Sequence, residues 1–152
     1  MTIIDGSGPT VVGMQQKEKS DGSTAGYYDL PLNTICVEDL IAYRNMNYGL
    51  GLIFKMIVEY EGDTYWPTDA TMLQDVISYY DMNAQLGEIF RAIFRFGHVQ
   101  HSEELRDAKK IKFYLNAELS RLRKYDPTDK GKIKDVVLML ELIEKEILRL
   151  SE

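Results

Sequence analysis

The chain is short of several things, and each shortage closes a class of function. Its single cysteine, Cys36, has no second Cys for an internal disulfide, and with only two histidines beside it the sequence cannot assemble an ordinary zinc site. A lone Cys in an apolar run fits a reducing compartment and reads as buried filler. No apolar run approaches the roughly 20 residues that a membrane span requires, and the opening segment lacks a charged start followed by an apolar stretch. The expectation is a cytoplasmic protein with no membrane contact. Positive charge is also scarce. Lys and Arg number 18 against 24 Asp and Glu, giving a formal charge of −6, opposite to what binding along a nucleic-acid backbone demands. Missing too are a Walker A loop, a serine elbow, an HExxH helix and a dinucleotide fingerprint.

What is present is enough for a core: 152 residues, 45% hydrophobic and 28% charged, the balance of a globular protein. Gly6, Gly8, Gly13, Gly22 and Gly26 punctuate the start, so residues 1–27 read as a flexible N-terminal arm. Beyond them the strongest feature is an internal duplication. Val37 to Tyr60 overlays Leu73 to Phe96 at an offset of 36 positions, with ten identities in 24 and no gap. Met46-Asn47 matches Met82-Asn83, Gly51 matches Gly87, and Lys55 faces Arg91, whereas Glu59 against Arg95 reverses charge.

Each copy reads as a short helix, a tight turn and a longer helix, with the Asn of Met-Asn as N-cap. Leu50, Ile53, Phe54 and Ile57 make an apolar stripe at helical spacing, as do Leu86, Ile89, Phe90 and Ile93. A glycine inside each longer helix costs about 1 kcal/mol relative to alanine, and its recurrence points to close approach of a neighbouring helix. Trp66-Pro67-Thr68-Asp69 is expected to cap the next helix. Gly97-His98 closes the second copy, Glu103 to Lys124 forms a longer helix, and Asp126-Pro127 breaks it. Ile133, Val136, Leu140, Ile143, Ile147 and Leu150 then form a heptad-like seam that calls for partner helices. The expected fold is an all-α helical bundle with an internal helical-hairpin repeat and a long C-terminal helix. Its parts are an arm (1–27), a duplicated helical-hairpin domain (28–126) and an assembly helix (127–152) suited to a homo-oligomer.

Candidate chemistry lies at the end of the second copy. Arg91 and Arg95 are one helical turn apart, and with His98 they could converge on an anion, phosphate above all. The next helix adds Lys110 and Asp107, which could pair with an arginine or orient a ligand's hydroxyl. Glu104 and Asp107 have ExxD spacing, but no ExxE precedes them to complete a magnesium site, so no metal is assigned. Tyr28, in a polar loop before the first helix, is the aromatic placed to touch a ligand.

These residues resemble a family of small phage proteins, built on a domain of unknown function, that includes a T-odd coliphage nucleotide kinase. The resemblance lies in Tyr28 followed by Ile35 to Ile41, in Leu86 to His98 and in Arg106 to Leu115, and spans about residues 27 to 120. Glu88 and His98 depart from the family pattern. The resemblance implies phosphoryl transfer from a nucleoside triphosphate such as ATP to a deoxynucleoside monophosphate. Arg91 and Arg95 would clamp phosphates with help from Lys110, and Asp107 would orient the acceptor. Lys55 holds the equivalent of Arg91 in the first copy. The alternative is a non-catalytic oligomeric sponge that sequesters a cyclic or other nucleotide signal of antiphage defence.

Overall fold

The duplicated sequence folds as two helical hairpins, followed by two long helices. The computed structural model describes residues 28–98 and 103–152; the arm predicted for 1–27 lies outside them. Helix α1 (Val37–Arg44) leads into α2 (Tyr48–Glu61), and α3 (Leu73–Tyr79) leads into α4 (Ala84–Arg95). Helices α5 (Glu104–Tyr125) and α6 (Lys130–Ser151) complete an all-α bundle. Among the described residues no helix is long and apolar enough to cross a membrane.

The two hairpin turns repeat the same hydrogen bonds. Asn45 and Asp81, at equivalent positions, adopt left-handed φ values of 54° and 52°, which Asn and Asp tolerate best among residues with a Cβ. Met46 N–H donates to the Ile41 carbonyl and Met82 N–H to the Ile77 carbonyl, both at 3.1 Å. The Asn47 and Asn83 side chains then accept from Leu50 N and Leu86 N, both at 2.9 Å, caps of a kind contributing about 1 kcal/mol each. A Cβ on Gly51 would lie 3.3 Å from Ile41 Cγ2, and one on Gly87 would lie 3.6 Å from Ile77 Cγ2. The recurrent glycine therefore admits the preceding short helix, as its position predicts.

The duplication also extends upstream of the helices. Asp29 bridges to Met72 and Cys36 to Tyr65. Leu30 N–H donates to the Thr71 carbonyl (3.0 Å), and its equivalent, Trp66 N–H, donates to the Ile35 carbonyl (2.9 Å). Each copy's lead segment thus pairs with the run into the other copy's short helix. The cap of α3 expected from the end of the run, Thr68-Asp69, falls instead at Met72, and Trp66 has another role. It is buried in this lead segment with its indole N–H on the Thr34 carbonyl, while Asp75 accepts from Thr71 N and Met72 N at the start of α3.

Phe54 and Phe90 lie at the centre among buried aliphatics from all six helices, each such side chain contributing about 1.5–3 kcal/mol on burial. The 126–129 turn brings α6 back along α5, with the Asp129 side chain accepting from Lys132 N. Val136, Met139 and Ile143 of α6 are buried, and Ile133, Leu140, Ile147 and Leu150 pack partly against the same core. The seam predicted for assembly is thus spent largely on α5 and α2 of its own chain; Leu138 and Leu148 stay exposed.

Helices α5 and α6 continue the pseudo-two-fold. Asn83 Nδ2 donates to Glu118 of α5 (2.9 Å), and Asn47 Nδ2 donates to Glu146 of α6 (3.1 Å). Each glutamate is also held by the arginine three residues on, Arg121 and Arg149. The molecule is two copies of a three-helix unit, one formed by α1, α2 and α6, the other by α3, α4 and α5.

Candidate functional site

The structure brings together Tyr28, Arg95 and Asp107. Arg95 projects from the last turn of α4, donating Nη2 to Asp107 Oδ1 (3.2 Å) and Nη1 to the Tyr28 hydroxyl (3.3 Å). Burial opposes the charge on Arg95, yet these two partners hold its pKa above the ordinary guanidinium value. The Tyr28 ring stacks on Phe94 with centroids 6.4 Å apart, and the Arg44 guanidinium sits 4.1 Å from the centroid of Phe94. Asp107 is fully buried. Of the two roles its sequence allows, it takes that of holding an arginine in place, and it fastens the entry loop to α4 and α5 through that arginine.

Arg91 does not converge with Arg95. It reaches back to α3, where its Nη2 donates to Gln74 Oε1 (2.5 Å), as the equivalent Lys55 reaches back to Glu38 of α1 (3.1 Å). Glu88 lies 3.8 Å from Arg91 and 3.9 Å from Lys110, leaving those cations half-buried and part-neutralised. The ExxD pair separates as well: Asp107 turns in to Arg95, and Glu104 turns toward Gly97. Among the described residues no group of three or more His, Cys, Asp or Glu could hold a metal ion.

His98 lies elsewhere, in a cleft of about 330 Å³ that it shares with Arg44, Asn45, Asn47, Phe96, Glu104 and Arg149, among others. The cleft exists because α4 stops early. In the first copy α2 continues through Tyr60 to Glu61, whereas α4 ends at Arg95 and Gly97 takes φ 74°. That turn swings His98 over, placing its Nε2 2.6 Å from the Arg44 carbonyl oxygen. Arg44 itself is nearly buried, and desolvation pushes its pKa down.

The equivalent position in the other half is filled. Tyr60 donates its hydroxyl to Glu118, which also accepts from Asn83 and from Nε and Nη2 of Arg121. Burial and Glu118 together push the Tyr60 phenol up. Burial alone would raise Glu118, but the bonds from Arg121, Tyr60 and Asn83 outweigh it and hold the carboxyl below its ordinary value.

The sequence weighed Glu104 only beside Asp107 and did not join it to Arg44 and Arg149, because the three sit on different helices and no spacing links them. A second cleft, of about 450 Å³, lies between the 29–33 and 68–72 segments and contains none of the predicted site residues. Neither cleft is lined by Arg91, Arg95, Lys110 or Lys55. Compared with family models, curated proteins and solved structures, the chain gives no match at all, so the site rests on its own geometry.

Proposed function

We propose that the protein handles nucleotides by holding one in the cleft between the α1–α2 turn and the ends of α4 and α6, and that it binds its ligand without turnover. The observation that supports this is the convergence of Arg44, His98 and Arg149 on one cavity. Its volume, about 330 Å³, falls at the small end of the ~300–1,000 Å³ range of small-molecule sites. A planar guanidinium presents paired N–H donors that match phosphate oxygens. Two carboxylates oppose the two guanidiniums, Glu104 in the lining and Glu146 bonded to Arg149. That balance favours a single phosphate over a triphosphate chain.

Sequestering a nucleotide signal needs this arrangement and nothing more. Phosphoryl transfer to a nucleoside monophosphate has one observation in its favour: Glu104 lines the cleft, where a carboxylate can orient an acceptor hydroxyl, a role for which Asp107 has no reach. One experiment separates the two. The protein is incubated with nucleoside mono- and triphosphates, diphosphate formation is followed, and bound ligand is released by heat and weighed by mass spectrometry. Ligand returned intact with no diphosphate supports sequestration. Diphosphate formed in proportion to protein supports the kinase. No binding of any nucleotide ends both readings.

A further inference from the structure

The pseudo-two-fold makes Glu118 and Glu146 equivalent, yet they are unequally satisfied. A carboxylate has about four acceptor positions. Glu118 uses four: Asn83, Tyr60 and two from Arg121. Among the described residues Glu146 uses three: Asn47 and two from Arg149. The missing fourth is the tyrosine hydroxyl. Phe96 stands at the position equivalent to Tyr60, without a hydroxyl and beyond the end of its helix.

We propose that the ligand supplies this fourth donor: a hydroxyl group of the bound molecule completes Glu146 as the Tyr60 hydroxyl completes Glu118. The inference rests on the cleft being the ligand site and identifies what the site reads there. Asn47 and Arg149, which hold Glu146, both line the cleft, so Glu146 stands behind that wall, at the place where the Tyr60 hydroxyl meets Glu118 in the other half. Glu146 is nearly buried, and an O–H bond to a desolvated carboxylate is among the stronger neutral-donor contacts. A hydroxyl also satisfies the acid without adding charge to a site whose charges already balance. The ligand class is therefore a hydroxyl-bearing phosphate monoester, with its phosphate toward Arg44 and His98 and its sugar hydroxyl on Glu146. A site built on such a bond discriminates against the analogue that lacks it, because the acceptor is left unpaired.

The test uses calorimetry on the full chain with the four ribonucleoside 5′-monophosphates and their 2′,3′-dideoxy counterparts. The ribo form of the preferred base is expected to bind about tenfold or more tightly than its dideoxy counterpart, the size expected for one hydrogen bond to a charged acceptor. Glu146→Gln is expected to bring that ratio close to one. Tyr60→Phe, at the filled end, is expected to leave the ratio as it is. Equal binding of ribo and dideoxy forms by the unmodified protein overturns the inference but leaves the cleft as a nucleotide site. Binding of neither overturns both. Should Glu146→Gln fail to fold, the comparison on the unmodified protein decides alone.

Discussion

Phe54 and Phe90, the same residue at equivalent points of the duplication, lie ring on ring with centroids 4.0 Å apart and planes within 3°. The pseudo-two-fold axis passes between them. Each ring is stacked on the other across the two halves, so removing either opens a cavity that its partner also lines. Phe54→Ala and Phe90→Ala are each expected to cost about 3–5 kcal/mol, measured by urea unfolding. The double variant is expected to cost less than the sum, because the first truncation already deprives the second ring of its contact.

Acid sensitivity should trace to Glu118. Its carboxyl is held below its ordinary value of 4.5 in the folded chain, so its contribution is complete above that pH and is lost as pH falls through the lower folded value. Unfolding monitored from pH 6 to pH 2 should show stability declining below about pH 4.5. Glu118→Gln should be less stable at neutral pH and show a shallower decline.

The alkaline limb has a different owner. Tyr80 donates its hydroxyl to the carbonyls of Asp63 and Tyr65 (2.5 and 3.0 Å); burial, then Tyr79 and Asp63, push its phenol from 10.0 up to about 12. A raised folded pKa gives stability that is present below pH 10 and lost as pH rises from 10 to about 12. Tyr80→Phe should flatten that loss, as read by circular dichroism at fixed denaturant.

Gly97 combines φ 74° with a position where a Cβ would lie 2.7 Å from Glu104 Oε2. Gly97→Ala is expected to cost about 1–2 kcal/mol from the left-handed backbone alone and to displace the Glu104 carboxylate from the cleft wall. The checks are thermal unfolding and calorimetric titration with a nucleoside monophosphate, whose affinity should change by more than the loss of stability explains.

Asp107→Asn separates a structural role from a catalytic one. Breaking a buried ion pair costs about 3–5 kcal/mol. The variant should therefore melt well below the unmodified protein, while its folded fraction binds ligand as before. Unchanged melting with activity abolished would restore Asp107 as a working group.

Much of the fold was legible in the residues. Asn47 and Asn83, Gly51 and Gly87, and the two apolar stripes each carry their helix by local rules of capping, close approach and period. The symmetry of α5 and α6 was not legible. At their offset of 28 only Asp107, Glu118, Arg121 and Leu122 are matched by identical residues, Asp135, Glu146, Arg149 and Leu150, because one helix covers α4 and the other α2 with different apolar residues. The site was less legible still. Arg91 and Arg95 share a helical face, yet which partner each takes is set by Gln74 and Asp107 on other helices. The cleft arises from a helix ending two positions early, and the sequence marks that only by Gly97.

The exchanged lead segments have a topological consequence. Because Leu30 closes onto Thr71 while Trp66 closes onto Ile35, neither half can complete its own entrance. A chain severed at Gly62, in the link between α2 and α3, should yield two pieces that are each unfolded in isolation. Mixed together, they should reconstitute one another.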